Sequence, residues 1–293
     1  MSTPYRLMGI VNVTPDSFFD GGTFLDAEAA IAHAGELVAE GTDILDIGGE
    51  STRPGADPVS ADEELRRVLP VLEGVAQLDS PALGERPQVS IDTSKEVVAR
   101  AAIAAGASIV NDVSALRADP AMVELIADSG AECCLMHMLG EPRTMQLEPR
   151  YEDVVDDVKA FLEERLSFAV ASGVDEQRIM LDPGIGFGKT SAHNLTLLRR
   201  LDELSTLGRP LLVGTSRKSF LGRILAAERG EGQALEAEGR LAGTIATNVL
   251  ALERGASVFR VHDVGPVREA LAVASATLGE RWTAKRAGTT QTS

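Results

Sequence analysis

Cysteine and lysine are scarce in this chain, and both scarcities bear on its chemistry. The two cysteines, Cys133 and Cys134, are adjacent within an apolar run, where no disulfide framework can be built and no metal-ligand spacing exists. A reducing, cytoplasmic setting is expected. No apolar run is long enough to cross a bilayer, and the N-terminal MSTPYRLMGIVNV lacks a basic segment followed by an apolar stretch and a cleavage site. Neither a membrane span nor export by an ordinary signal is expected. Basic residues number 28 against 44 acidic ones, giving a net charge of −16 and a pI near 4.7. A chain so acidic has no broad electrostatic footprint for nucleic acid or an anionic membrane surface. A small anionic substrate requires local basic groups that oppose the overall field. Only five of the basic residues are lysines, so a lysine at a strand end stands out.

What is present is a regular alternation. The 293 residues are 44% hydrophobic and 25% charged, with a mean hydropathy of +0.02, the profile of a soluble globular protein. Short apolar or β-branched runs occur at Leu7–Val13, Ile44–Gly48, Val89–Ile91, Ser108–Val113, Cys133–Met136, Ile179–Leu181, Leu211–Val213 and Ser257–Val261. They are apolar throughout rather than alternating, as parallel strands covered by helices should be. Between them lie helical periods such as Asp26–Glu40, with apolar Ile31, Ala34, Leu37 and Val38. Gly41, Gly106, Gly130, Gly173 and Gly255 stand shortly before strands, where helix C-caps are expected. Eight such units without a composition break predict an α/β fold, a single (β/α)8 TIM barrel over residues 1–280, with a mobile polar tail at 281–293. A doubly wound sheet is the alternative, and it would split the strand ends between two edges.

The strand ends carry chemistry. Read outwards from each apolar run, they present Asn12, Glu50, Asp92, Asn111 with Asp112, His137, Asp182, Lys218 just beyond Ser216, and Arg260 with His262. Any one of these could simply open a loop or cap a helix, as Asp92 could at Lys95 or Glu96. In a barrel, however, all eight ends converge on the face that holds active sites, so together they predict one polar pocket.

Read together, the strand-end segments resemble the dihydropteroate synthase family. The matching stretches are MGIVNVTPDSFFDGG (8–22), ILDIGGESTRPGA (44–56), VSIDTSK (89–95), IVNDV (109–113), CLMHM (134–138), LDPGIGFGK (181–189), LVGTSRKS (212–219) and FRVHDV (259–264). The resemblance implies condensation of 6-hydroxymethyl-7,8-dihydropterin diphosphate with p-aminobenzoate, releasing diphosphate, in a homodimer assembled through outer helices. It places the pterin ring against Asp92, Asn111, Asp182 and Lys218, and counts Met136 and Gly214 among the substrate-binding residues. A carboxylate such as Asp182 matches the paired N–H donors of an aminopyrimidinone, with Asn111 offering a donor and an acceptor beside it. The family pattern further implies Mg²⁺ on Asn12 and the diphosphate, with Arg260 and His262 completing an anion pocket. Thr52, Arg53, Pro54, Phe187 and Ser219 are implied at the aminobenzoate, under lid loops that include Asp16, Ser17 and Asp20. Asp92, Lys218, Asp20 and Arg53 are the residues implied in catalysis. Phe19 stands where the family usually has a small polar residue. His137 is read as a satisfied strand-end histidine without chemistry.

One motif is excluded by spacing. Gly188-Lys189-Thr190 looks like the end of a phosphate-binding P-loop, but that pattern needs glycine at position 183, where Pro183 stands. Two other functions compete with the synthase. A methyltransferase on the same barrel, using methyltetrahydrofolate, would share the ring contacts of Asp92, Asn111 and Asp182 but has no evident use for the Thr52-Arg53-Pro54 loop. A non-catalytic pterin-binding paralogue would retain the ring contacts without turnover.

Overall fold

The computed structural model describes residues 5–14, 23–52, 55–78 and 86–279, with the side chains of residues 23–26 excepted. Strands and helices alternate through them. The order is β1 (Arg6–Asn12), α1 (Thr23–Ala39), β2 (Ile44–Gly48), α2 (Ala61–Val75), β3 (Gln88–Asp92), α3 (Glu96–Ala104), β4 (Ile109–Asp112), α4 (Met122–Ser129), β5 (Glu132–Met136), α5 (Val154–Ala171), β6 (Ile179–Asp182), α6 (Ser191–Arg199), α7 (Asp202–Ser205), β7 (Leu211–Val213), α8 (Ser219–Arg229), α9 (Leu241–Glu253), β8 (Ala256–Val261) and α10 (Val264–Thr277). The strands pair in parallel and in sequence order, and β8 returns to β1 to close the barrel. Closure removes the doubly wound alternative: there is one C-terminal rim, not two edges.

Local chemistry sets the helix ends. Ser60 accepts the N–H of Glu63 ahead of α2, whose first turn carries Asp62, Glu63 and Glu64 against the helix dipole. Asp153 accepts from Val155 and Asp156 at the start of α5, and Thr190 accepts from His193 at the start of α6. The five glycines expected to close helices all have positive φ, between 66° and 106°. At Gly130, a left-handed C-cap, this turns the chain directly from α4 into β5.

Two apolar layers sandwich each strand, which is why the strands read as uninterrupted hydrophobic runs. Outward-facing residues such as Leu7, Leu45, Ile47, Ile91, Val110, Leu135 and Phe259 pack under the helices. Inward-facing Met8, Ile44, Ile109, Cys134, Met180, Leu212 and Val258 fill the barrel axis. Below that inner layer, at the N-terminal end, Arg6 donates to Glu132 at 3.1 Å and to Gln88 at 3.0 Å, closing the bottom with matched polar groups. Cys133 and Cys134 are both buried and unbridged, and burial pushes the Cys133 thiol up to about 12, so neither is a reactive thiolate. The tail at 281–293 lies outside the described residues.

Candidate active site

The site follows from the inner apolar layer by strand periodicity alone. Side chains two residues apart on a strand share a face, so one step beyond each inner-layer residue must also point into the barrel. From Ile44, Ile109, Cys134, Met180, Leu212 and Val258 that step reaches Asp46, Asn111, Met136, Asp182, Gly214 and Arg260. A second step reaches Gly48 at the end of β2, His262 just past β8 and, from Met8 through Ile10, Asn12 on β1. The expected convergence of distant residues at one mouth is therefore present, and several of its members are joined by hydrogen bonds.

Arg260 is the centre of that network. Its Nε donates to Asp46 Oδ2 at 2.6 Å and its Nη2 to Asp92 Oδ2 at 2.7 Å. Asn111 Nδ2 donates to the same Asp46 oxygen at 3.1 Å. Burial disfavours charge on Arg260, but the two carboxylates outweigh it and hold the guanidinium above its ordinary range. Burial has the opposite consequence for Asp92, whose carboxyl rises to about 7 despite the nearby guanidinium. The helix cap that Asp92 could have formed is supplied instead by Asp119, which accepts from the Glu96 N–H at 3.0 Å. Asp112 points away from the chemistry: its two oxygens accept from Ser114 and Leu116 and turn the chain after β4.

On the opposite side of the mouth, Asp182 and Lys218 face each other through the β6–α6 loop. Asp182 Oδ1 accepts from the Gly184 N–H at 2.6 Å, and burial raises its carboxyl pKa while Lys218 opposes the rise. Lys218 donates to the Ile185 carbonyl, and its ammonium lies 4.4 Å from the Phe187 ring centroid. Burial lowers its pKa to about 8, against the pull of Asp182. Gly186, at φ 86°, leaves room for this side chain: a Cβ there would stand 2.8 Å from Lys218 Cδ. Just before Lys218, Arg217 adopts a left-handed φ of 57°, a conformation that costs a non-glycine residue about 1–2 kcal/mol. Thr244, Arg240 and a two-pronged pair with Asp263 hold it there, which fixes the direction in which Lys218 leaves the backbone.

The loop that carries Phe187 is pinned from beneath by Lys189, a lysine only 2% exposed. Its ammonium meets His137 Nδ1 at 2.8 Å and donates to the carbonyls of Gly184 and Phe187, both at 3.0 Å. Burial and the adjacent ammonium drive His137 down to about 2, so this ring stays neutral and accepts. His137 thus helps to hold the Lys189 side chain in place. Met136 is buried with Met138 and Met145, and Phe187 packs against this group.

At the rim, Ser219 is the exposed first residue of α8. Ser216 Oγ lies 3.0 Å from His262 Nδ1 and accepts the His262 backbone N–H at 3.2 Å. Arg260 and His262 share a face as expected, yet their near neighbours are protein groups: two carboxylates for one, a serine for the other. Thr52 is half-buried beyond β2. The loop that carries it is tethered through Glu50, which accepts from the Val59 N–H at 2.8 Å and from Lys95 at 2.6 Å, while Lys95 also reaches the buried Glu64 at 2.6 Å. Asp16, Ser17, Phe19, Asp20, Arg53 and Pro54 lie outside the described residues.

Reading outwards from strand ends misses two residues. Asp46 lies inside β2, not at its end. Its signal is a carboxylate in the middle of an otherwise apolar strand, in register with Ile10 and Ser90. Lys189 stands out in the sequence only within the run that fails the P-loop spacing.

A closed parallel barrel with buried carboxylates, an amide and an ammonium at its mouth defines a binder of a small polar heterocycle. The family described as "Pterin binding enzyme" matches residues 8–262, and the chain belongs to it. Its relatives include dihydropteroate synthases. The chain is 44% identical to the Escherichia coli (strain K12) enzyme over 281 residues, covering 96% of this chain and 94% of that one. It is 48% identical to the Neisseria meningitidis serogroup C enzyme over 272 residues, covering 91% and 90%. Among solved structures, dihydropteroate synthase of Xanthomonas albilineans with 4-aminobenzoic acid superposes with a TM-score of 0.84 at 48% identity, covering 94% of this chain and 93% of that one. The same organism's enzyme in complex with 7,8-dihydropteroate gives 0.80 at 45%, with 94% of each chain covered. The chain is a transferase of folate biosynthesis, of the dihydropteroate synthase type.

Proposed function

We propose that the barrel mouth carries out the synthase reaction with the following division of labour. The observation that carries it is the convergence of Asp92, Asn111, Asp182, Lys218 and Arg260, from five different strand ends, on one mouth. Asp182 and Asn111 face the aminopyrimidinone edge of the pterin, and Lys218 donates to its carbonyl and ring nitrogen. Asp92 favours positive charge on the ring as the carbon–oxygen bond of the pterin methylene breaks. The bonding pair leaves with diphosphate, whose charge meets Arg260 and His262. The amine of p-aminobenzoate then forms the carbon–nitrogen bond and gives up its proton afterwards. An aniline nitrogen needs no strong base, and the arrangement uses no nucleophile triad.

The second substrate is a flat ring ending in a carboxylate. Ser219 suits it, with a hydroxyl at the start of α8, where the helix N-terminus favours an anion. Thr52 and Phe187 belong to this side; the roles of Arg53 and Pro54 toward the aminobenzoate and of Asp20 in catalysis rest on the family resemblance, these three lying outside the described residues. Asn12, half-buried at the end of β1, brings a hard carbonyl oxygen to the rim, and no cluster of three acidic, histidine or cysteine ligands is found among the described residues. That donor set suits Mg²⁺, which takes few protein ligands and mostly phosphate and water. Bound there, the ion would supply charge neutralisation on the diphosphate. We further propose a cytoplasmic homodimer.

The test is diphosphate release with each substrate alone and with both. The synthase reading expects release only when pterin diphosphate and p-aminobenzoate are present together. Methyl transfer from methyltetrahydrofolate, or binding without release, would replace it with one of the competing functions.

A further inference from the structure

Asp46 lies inside β2, one step deeper than the strand-end groups and out of reach of solvent. Its side chain is fully buried. One of its oxygens, Oδ2, accepts both from Arg260 Nε at 2.6 Å and from Asn111 Nδ2 at 3.1 Å. The other, Oδ1, is buried with no hydrogen-bond partner among the described residues. Stability alone does not account for a buried carboxylate that crowds two donors onto one oxygen and leaves the second unmatched.

The arrangement has a directional effect on Asn111. An amide side chain has a donor end and an acceptor end, and rotation by half a turn exchanges them. A carboxylate that faces a guanidinium is an acceptor, so the Asn111 end directed at Asp46 must be the NH₂. The Asn111 oxygen therefore points the other way, into the mouth. Asp182 already commits Oδ1 to the Gly184 N–H and likewise has only acceptors to offer.

We infer that Asp46 is a positioning residue that locks Asn111 with its oxygen outward, so that Asn111 and Asp182 together present acceptors and select a ring whose edge carries adjacent N–H donors. This sharpens the reading of Asn111 as both donor and acceptor to the ligand, and it rests on the pterin reading proposed above. In the Asp46→Asn variant the orientation is no longer dictated, because the introduced amide can face Asn111 with either end. Asn111 then spends part of its time with NH₂ directed at the ring N–H groups.

The test uses 6-hydroxymethyl-7,8-dihydropterin without its diphosphate, so that any contact of Arg260 with the leaving group drops out of the measurement. Binding is titrated to the full-length wild-type protein, Asp46→Asn, Asn111→Ala and the double variant. Asp46→Asn should weaken binding by about tenfold in the wild-type background and by less than about twofold once Asn111 is alanine, because the residue acts through that amide. Equal losses in both backgrounds, or no loss in the wild-type background, would overturn the inference while leaving the pterin reading intact. Unchanged affinity in Asn111→Ala alone would instead remove the pterin contact itself. Should Asp46→Asn fail to fold, the wild-type protein still answers. The Asn111 side-chain NH₂ resonances, assigned by their loss in Asn111→Ser, should exchange slowly with solvent and keep that protection when pterin binds. Exchange at a solvent-exposed rate, or protection that appears only with ligand, would place the NH₂ in the mouth and contradict the assignment.

Discussion

Arg260 on β8 and Asp92 on β3 are joined across the barrel mouth by a 2.7 Å hydrogen bond between Nη2 and Oδ2. The two strands are not sheet neighbours, so the contact exists only because the barrel closes. It ties a group assigned to the leaving diphosphate to a group assigned to the ring, and the titration of one bears on the other.

That link gives a pH profile. Asp92 is held at about 7, so it is protonated below that and carries the required charge above it. Lys218 is held at about 8, so it can donate with full charge only below that. The rate constant kcat/KM for pterin diphosphate should rise through about 7 and fall through about 8, since this parameter reports groups of the free enzyme. Asp92→Asn should lower the plateau and remove the rising limb, whereas Lys218→Arg should displace the falling limb upward. A rising limb that survives in Asp92→Asn would assign it to another group.

Lys189 gives a prediction about the loop. Lys189→Met keeps the length of the side chain but strands the Gly184 and Phe187 carbonyls and His137 Nδ1. The expected cost is about 1–3 kcal/mol of stability, read by denaturant unfolding, together with weaker pterin binding, because Asp182 borders that loop and Phe187 lies on it. Unchanged unfolding with unchanged pterin affinity would show that the buried ammonium does not hold the loop.

Asn12 gives a prediction about the metal. Asn12→Ala should raise the Mg²⁺ concentration needed for half-maximal rate, with pterin affinity measured without diphosphate unaltered. An unchanged Mg²⁺ titration would remove Asn12 from that role.

Much of the architecture was legible because parallel barrel strands are buried on both faces and therefore read as apolar runs. The predicted runs at Ile44–Gly48 and Leu211–Val213 coincide with β2 and β7 residue for residue. Asp92, Asn111 and Asp182 were legible for a related reason: the last inward position of a strand is where a polar side chain first becomes tolerable; Lys218, beyond β7, stood out because lysines are few. Asp46 was not, since a carboxylate one step deeper contradicts that rule unless its partner is known, and Arg260 lies 214 residues away in sequence. Lys189 was hidden similarly. A lysine reads as exposed until the carbonyls that surround it are in place. Arg217 gave no cue in composition, because its left-handed backbone is imposed by Asp263, Thr244 and Arg240 rather than by its own preference.

The proposed arrangement puts the pterin inside the barrel mouth and p-aminobenzoate against the loop that carries Thr52. It is tested most directly by calorimetric titration of pterin diphosphate into wild type, Asp182→Ala and Arg53→Ala, with KM for p-aminobenzoate measured on the same preparations. Asp182→Ala should lose most of its pterin affinity, whereas Arg53→Ala should bind pterin diphosphate almost normally and show its defect in KM for p-aminobenzoate. Pterin affinity preserved in Asp182→Ala, or lost equally in both variants, would contradict the account.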